Sequence, residues 1–188
     1  IGEVVSPPLR ELVKDFMKPS QNLETDLIFD HVGEMLRVIS TPAWMNSEQL
    51  AVFELKKFLQ VSGLPDEEVY FDEGSGLSRN NLCSANATLA LLQFMARHKT
   101  AQAWKDSLPI AGVDGTIRRR MKGTPAEKNV RAKTGTLRWV NALSGYVTNA
   151  AGEKLVFSLM LNRYDPPPNR KRTDELDDIA VMLAQSNF

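Results

Sequence analysis

The residues best suited to chemistry lie together in one short segment, Asn-Val-Arg-Ala-Lys-Thr-Gly-Thr-Leu at positions 129–137. Its alternation of apolar and polar residues predicts a β-strand. Lys133 is followed by Thr134, Gly135 and Thr136. Glycine weakens a strand, and one reason to tolerate it is the close approach of a ligand or another backbone. The segment thus predicts an edge for an anionic, extended ligand; the alternative is a solvated edge strand whose lysine prevents aggregation.

Lys-Thr-Gly also belongs to a set of three motifs. Together with Ser-x-x-Lys and Ser-Asp-Asn it marks serine β-lactamases and penicillin-binding proteins. The chain offers two Ser-x-Asn triplets upstream, Ser20 with Asn22 and Ser78 with Asn80. Taken by themselves, Ser20 and Asn22 are better explained as a helix cap. No serine has a lysine three positions further on, so the nucleophile motif is absent from these 188 residues.

The elements that must position these motifs follow from hydrophobic spacing. Apolar residues at helical intervals predict helices over residues 8–18, 20–39, 46–63, 84–98 and 173–185. Strands are predicted at residues 129–137, 142–148 and 154–161, the last two joined by a hairpin turn. The last strand is almost continuously apolar, which predicts a central position or cover on both faces. Helices, then an antiparallel sheet, then a helix indicate an α+β fold in one domain.

Composition and charge exclude several functions. Lysine plus arginine equals aspartate plus glutamate, 23 each, which argues against a nucleic-acid-binding surface. The run Arg118-Arg119-Arg120 is better explained as a solvated basic surface than as a phosphate site. With two histidines and one cysteine, no metal or other cofactor is predicted. His31 is expected to be structural, and Cys83 to be a buried thiol.

Four ordered stretches make the chain resemble one family. The chain is similar to the C-terminal part of the D-alanyl-D-alanine carboxypeptidase/endopeptidase family, the low-molecular-mass class C penicillin-binding proteins with large inserted domains. The stretches are Lys-Pro-Ser-Gln-Asn at 18–22 with Thr-Asp at 25–26, Gly-Ser-Gly-Leu-Ser-Arg at 74–79, Leu-Pro-Ile-Ala-Gly-Val-Asp-Gly-Thr at 108–116 and Ala-Lys-Thr-Gly-Thr-Leu at 132–137.

The resemblance implies a β-lactamase/transpeptidase-like fold and a serine-type hydrolase of peptidoglycan peptides that end in D-Ala-D-Ala. It selects Ser20 over Ser78, because the family's catalytic triplet lies roughly a hundred residues before Lys-Thr-Gly. It implies catalytic roles for Ser20, Asn22 and Lys133, and substrate binding by Thr134, Gly135 and Thr136. It also implies acylation by β-lactams and a periplasmic or other extracytoplasmic location in a bacterial cell envelope.

The chain departs from the family in lacking Ser-x-x-Lys, the motif that carries the nucleophile. Residues 1–188 are therefore expected to be the C-terminal part of a transpeptidase-like domain, without its N-terminal strands, and inactive alone. An exposed apolar patch is expected, to be covered by the missing N-terminal segment or by another copy of the chain. Milder departures are Pro19 and Gln21 around Ser20, and Glu73 where aspartate is commoner. A β-lactamase-like or esterase relative and a non-catalytic peptide-binding module are the competing hypotheses.

Overall fold

A computed structural model describes residues 2–188, which group into two compact units. The sheet unit comprises the chain up to Ser20 together with Leu92–Phe188, and the helical unit comprises Gln21–Leu91. Helix α4 begins in the helical unit and ends in the sheet unit. Among residues 2–188, no helix combines the length and apolar character needed to span a bilayer.

The helical unit is built on a pair of packed helices. Its elements are α2 (Asn22–Leu36), α3 (Ser47–Val61), a 3₁₀ turn (Asp66–Glu68), β1 (Val69–Tyr70), β2 (Leu82–Cys83) and the start of α4 (Ala85–Arg97). Asn46 Oδ1 accepts from the Gln49 N–H (2.8 Å), and Gln49 Oε1 accepts from the Asn46 N–H (3.1 Å). This reciprocal capping box starts α3. At Gly33 the helices touch so closely that a Cβ would collide with the Ser47 carbonyl oxygen.

The sheet unit contains α1 (Leu9–Met17), α5 (Ala101–Ser107), a 3₁₀ turn (Gly115–Ile117), β3 (Arg131–Leu137), β4 (Val140–Thr148), β5 (Lys154–Asn162) and α6 (Asp174–Gln185). Within the described residues the order of the antiparallel sheet is β3-β4-β5. Burial alternates along β4, where Asn141, Leu143, Gly145 and Val147 are buried. This period of two turns one face of the sheet toward the core.

The core of the sheet unit lies between that face and α6. Fully or almost fully buried side chains from the sheet meet Leu176, Ala180 and Ala184 of α6. On the opposite face the Tyr146 hydroxyl donates to the Leu92 carbonyl (2.7 Å) and accepts from Trp104 Nε1 (3.0 Å). Besides its core contacts, helix α6 is held by an ion pair, in which Arg120 makes bidentate hydrogen bonds to Asp177. Arg120 is therefore structural, whereas Arg118 and Arg119 are exposed.

Several expectations from the sequence were wrong. Cys83 is exposed. It lies in β2, a two-residue strand that no other part of the described chain buries. Within residues 2–188 strand β5 pairs with β4 alone, and its predicted central position or cover on both faces stays a prediction. Helix α2 ends at Leu36, three residues early, and α5 was not predicted. Residues 116–122, which are predicted to form one or two helical turns, contain helical structure only at their start, in the 3₁₀ turn Gly115–Ile117.

Candidate functional site

The site is organised by the Lys133 side chain on β3. Because side chains alternate along a strand, Ala132 is completely buried in the core while Lys133 projects from the other face. Lys133 Nζ donates to Ser20 Oγ at 2.5 Å and to the Thr134 carbonyl oxygen at 3.0 Å. The structure therefore brings together Ser20 and Lys133, which are 113 positions apart in the chain.

Burial lowers the pKa of Lys133 below its ordinary value of 10.5, because the amine is largely removed from water. A charged lysine has three N–H donors, and Ser20 and Thr134 accept two of them. Among residues 2–188 no third acceptor lies within hydrogen-bond distance of the amine. The remaining donor is free for a ligand carboxylate or for another hydroxyl.

Ser20 reaches Lys133 from an unusual backbone conformation. Its φ is 65°, in the left-handed region that non-glycine residues rarely occupy. The N-cap of α2 is Gln21, and no side chain caps that helix. Ser20 therefore does not act as the helix cap that its sequence context favoured, and its hydroxyl is directed to the lysine instead.

The loop at residues 108–116 holds the turn that carries Ser20. The Thr116 N–H donates to the Lys18 carbonyl oxygen (3.1 Å). Lys18 Nζ bonds Asp114 Oδ2 (2.5 Å) and the Leu108 carbonyl oxygen (3.1 Å). The Thr134 hydroxyl donates to Thr116 Oγ1 (2.8 Å), which connects the same loop to β3 beside Lys133.

The outer edge of β3 is paired along its first half and open along its second. The Ala111 N–H donates to the Val130 carbonyl, and the Ala132 N–H donates to the Pro109 carbonyl, each at 3.0 Å. Main-chain groups of alternate residues point to the same edge of a strand. The N–H and C=O groups of Thr134 and Thr136 therefore face the unpaired part of this edge.

Gly135 lies between those two threonines and is exposed. A Cβ built there would meet only the Ala142 side chain, at 3.4 Å. Within residues 2–188 the protein itself therefore has no strong steric need for glycine at this position. The space above Gly135 is available to a ligand.

Asn22, the remaining predicted catalytic residue, belongs to the helical unit. It is the first residue of α2 and is exposed, and its carbonyl oxygen accepts from the Thr25 hydroxyl (2.9 Å). Its catalytic role therefore stays a prediction. The second triplet also lies in the helical unit, where the Ser78 hydroxyl (2.6 Å) and Asn80 Nδ2 (3.2 Å) both donate to Asp72.

Glu73 organises the loop around that second triplet. Its carboxylate accepts from the N–H groups of Ser75 (2.6 Å), Gly76 (3.1 Å) and Ser78 (3.0 Å) and from the Asn81 side chain (2.6 Å). Burial raises the pKa of Glu73, but these hydrogen bonds outweigh it and lower the pKa overall. The hydrogen bonds of Ser78 thus have a structural explanation inside its own loop. Across residues 2–188, no three His, Cys, Asp or Glu side chains cluster where a metal ion could bind.

One known protein family matches almost the whole chain. The model of the D-Ala-D-Ala carboxypeptidase 3 (S13) family matches residues 1–183. The chain belongs to this family. The resemblance predicted from the four motifs is thereby confirmed.

Curated members of the S13 family are similar to almost the whole chain. D-alanyl-D-alanine carboxypeptidase of Haemophilus influenzae is 39% identical over 166 residues, covering 87% of this chain and 34% of that protein. D-alanyl-D-alanine carboxypeptidase of Actinomadura sp. is 35% identical over 190 residues, covering 98% of this chain and 34% of that protein. The chain thus spans about a third of the length of these relatives.

Solved structures confirm the α+β, transpeptidase-like fold predicted from the sequence. Penicillin-binding protein 4 of Haemophilus influenzae superposes with a TM-score of 0.82 at 34% identity, covering 96% of this chain and 41% of that chain. A second structure of that protein, complexed with a novel β-lactam, gives a TM-score of 0.80 at 35% identity, covering 95% and 41%.

Sequence reasoning on the S13 motifs missed three residues that shape the site. Lys18, Asp114 and Thr116 were noted only as members of matching stretches, with no role of their own. Their signal was indirect: Lys18 stands two residues before Ser20, and Asp114-Gly115 is a turn sequence. The ion pair between Lys18 and Asp114 joins residues 96 positions apart. Spacing along the chain does not reveal a contact of this kind.

Proposed function

We propose that the protein carrying this chain is a serine-type D-Ala-D-Ala carboxypeptidase/endopeptidase that acts on peptidoglycan peptides and is acylated by β-lactams. The observation that carries the proposal is the 2.5 Å contact between Lys133 Nζ and Ser20 Oγ beside an open strand edge. It joins the family's two motif residues within one unit. Residues 1–188 supply these motifs but no Ser-x-x-Lys.

Lys133 has two roles in this proposal. Its third N–H donor attracts the terminal carboxylate of the substrate, and its positive charge stabilises that anion. Burial lowers its pKa, which makes proton exchange with a neighbouring hydroxyl easier than for a solvated lysine. Ser20, which already accepts from Lys133, relays a proton to the leaving amine.

The open half of β3 binds the extended peptide by strand addition. The outward N–H and C=O groups of Thr134 and Thr136 pair with the ligand backbone. The Thr136 hydroxyl donates to the carboxylate, and the Thr134 hydroxyl does so once it turns away from Thr116 Oγ1. The N–H of Thr136 serves as one oxyanion donor, a contribution worth about 3 kcal/mol in transition-state stabilisation. Gly135 allows the ligand to approach the strand closely.

Asn22 is proposed to bond the substrate amide from the start of α2. The nucleophile is proposed to come from a segment outside these 188 residues, as the roughly threefold greater length of the relatives allows. We expect this chain alone not to turn over substrate. A peptidoglycan substrate further implies an extracytoplasmic location.

The proposal is tested by fluorescent-penicillin labelling of the full-length protein, meaning this chain preceded by the segment that its relatives possess. Lys133→Ala should slow labelling by roughly a hundredfold or more, because it removes the cation and its hydrogen bonds from the site. Lys154→Ala is the matched control, an exposed lysine on the same sheet, and should leave the rate unchanged.

Each outcome has a distinct meaning. Slow release of the label, together with release of D-alanine from a D-Ala-D-Ala peptide, supports the carboxypeptidase. Rapid release of the label identifies a β-lactamase-like relative instead. If the full-length protein binds peptide but is never labelled, it is a non-catalytic binding module. Equal labelling of Lys133→Ala and wild type would show that β3 does not form the site.

A further inference from the structure

The contact between Ser20 and Lys133 is part of a closed ring of interactions. Lys133 is followed in the chain by Thr134, whose hydroxyl donates a hydrogen bond to the Thr116 hydroxyl. The Thr116 N–H in turn donates to the Lys18 carbonyl oxygen. Pro19 and Ser20 complete the ring, and Ser20 returns to Lys133. The ring makes the Ser20–Lys133 separation depend on how firmly Lys18 is held.

Lys18 is held at both of its ends by one loop. Its carbonyl oxygen accepts from the Thr116 N–H, while its amine bonds Asp114 Oδ2 and the Leu108 carbonyl. The side chains of the ion pair are 14% and 34% exposed, for Lys18 and Asp114 respectively. The other carboxylate oxygen of Asp114 accepts from the Ile110 N–H at 2.9 Å, so the acceptor is itself fixed. A pair this sheltered and hydrogen-bonded is better ordered than an exposed ion pair.

The loop also packs directly against the turn. Gly115 has a φ of 58°, and a Cβ placed there would lie 2.6 Å from the Lys18 carbonyl oxygen and 2.9 Å from the Pro109 side chain. The backbone of the loop therefore touches the backbone of residue 18. The main chain that leads into Ser20 has little freedom to shift toward the loop.

Ser20 requires such support because its left-handed backbone is unfavourable for an L-residue with a side chain. In this region the Cβ of a non-glycine residue comes too close to the following carbonyl oxygen, so the conformation is less stable than ordinary backbone conformations. Such a conformation persists only where the surrounding structure imposes it. The hydroxyl of Ser20 points at Lys133 only as long as that conformation is kept.

We propose that Lys18 and Asp114 are positioning residues, whose ion pair keeps Ser20 in the left-handed conformation with its hydroxyl against Lys133. The inference rests on the proposed function, because positioning is read out through acylation. Among the described residues, neither the Lys18 nor the Asp114 side chain makes a hydrogen bond to Ser20 Oγ or Lys133 Nζ. Their loss should therefore slow the chemical step while leaving the binding of the β-lactam carboxylate to β3 nearly intact.

The experiment measures the acylation rate constant and the β-lactam dissociation constant separately, by time courses at several penicillin concentrations in the full-length protein. Lys18→Met should slow acylation about ten- to a hundredfold, because misplacing a catalytic group by about an ångström has effects of that size. The dissociation constant should change less than about threefold, since the substituted residue makes no ligand contact. Lys18→Arg should recover most of the rate, because arginine keeps the ion pair.

Lys14→Met is the matched control. It is the same substitution one turn earlier on α1, at an exposed side chain, and should leave the rate within about twofold of wild type. If Lys18→Met does not fold, Asp114→Asn replaces it, because asparagine keeps the acceptor for the Ile110 N–H. A folded Lys18→Met or Asp114→Asn that acylates at the wild-type rate overturns the inference. A Lys18→Arg variant that acylates no faster than Lys18→Met also overturns the inference. Arginine keeps the ion pair, so the acylation rate would then not depend on that pair.

Lys133→Ala in the same assay separates the two proposals. If Lys133→Ala acylates normally, the proposed function fails. If Lys133→Ala is inactive while folded Lys18→Met acylates normally, the site is assigned correctly and only the positioning role is refuted.

Discussion

The two units of the chain bury their apolar residues to different extents. In the sheet unit, one continuous cluster joins both sides of the core, and Leu143 and Leu176 are at most 1% exposed. In the helical unit, the apolar residues Leu23, Leu27 and Met35 of α2 are all exposed. A groove of about 400 Å³ between α2 and α3 is lined almost entirely by apolar atoms.

This difference distinguishes the sheet unit, whose core is closed within residues 2–188, from the helical unit, whose apolar faces are exposed. The sheet unit positions Ser20 against Lys133 with its own packing and hydrogen bonds. The helical unit presents apolar faces of the kind that mark contact with another protein segment. We propose that a segment outside these 188 residues covers them.

The largest expected contrast is between the two serines. Ser20→Ala should slow acylation of the full-length protein by about a hundredfold, because it removes a hydroxyl in contact with Lys133. Ser78→Ala removes a hydroxyl whose hydrogen-bond partners, Asp72 and Asn80, lie in its own loop, and should change the rate only a few-fold. Labelling rates of both variants at equal protein concentration check this, and a larger loss at Ser78 would assign catalysis to the helical unit.

Leucine truncation tests the difference in packing. Leu143→Ala should lower the free energy of unfolding of the 188-residue chain by about 2–5 kcal/mol, because it opens a cavity in a closed core. Leu27→Ala, at a side chain 57% exposed, should lower it by less than about 0.5 kcal/mol. Urea unfolding measures both. A large loss at Leu27 in this chain would show that a second copy already covers α2; a loss found only in the full-length protein would show that the N-terminal segment does.

The smallest expected effect is a pH dependence that falls in a different pH range for each unit, although stability rises with pH in both. Hydrogen bonds from Arg37 and Ser47 lower the pKa of Glu34 from 4.5 to about 2, so the helical unit should lose stability as the pH falls from 4.5 toward 2. Burial lowers the pKa of Lys133, so the unfolded state binds more protons between that value and 10.5. The sheet unit should therefore gain stability as the pH rises through this window.

Urea unfolding across the pH range checks both slopes with matched variants. Glu34→Gln should flatten the acid slope and leave the alkaline one, and Lys133→Met should do the reverse. An alkaline slope that survives in Lys133→Met would mean that another group is responsible for it.

Much of the local structure could be predicted because it is determined by neighbouring residues. The helices predicted over residues 8–18, 46–63, 84–98 and 173–185 and the hairpin that joins β4 to β5 all follow from spacing of four positions or fewer. The three-residue difference at the end of α2 and the missed α5 show how weakly local propensity marks helix boundaries.

The remaining errors share a physical cause. The exposure of Cys83 depends on what covers β2, which nearby residues do not encode. The same holds at the site. Lys133 and Thr134 were predicted as site residues from one motif, but the left-handed backbone of Ser20 and its support by Lys18 and Asp114 depend on contacts between distant segments.

The change of partner midway along β3 limits how long a bound chain can be. An extended ligand added antiparallel to this strand would run from Leu137 toward Lys133 and then meet Pro109, which already occupies the edge at Ala132. The open edge of β3 therefore ends at Pro109, and a chain bound antiparallel to it would place its carboxyl end there. We expect such an edge to favour the carboxyl end of a chain over its interior, whatever side chains the ligand carries.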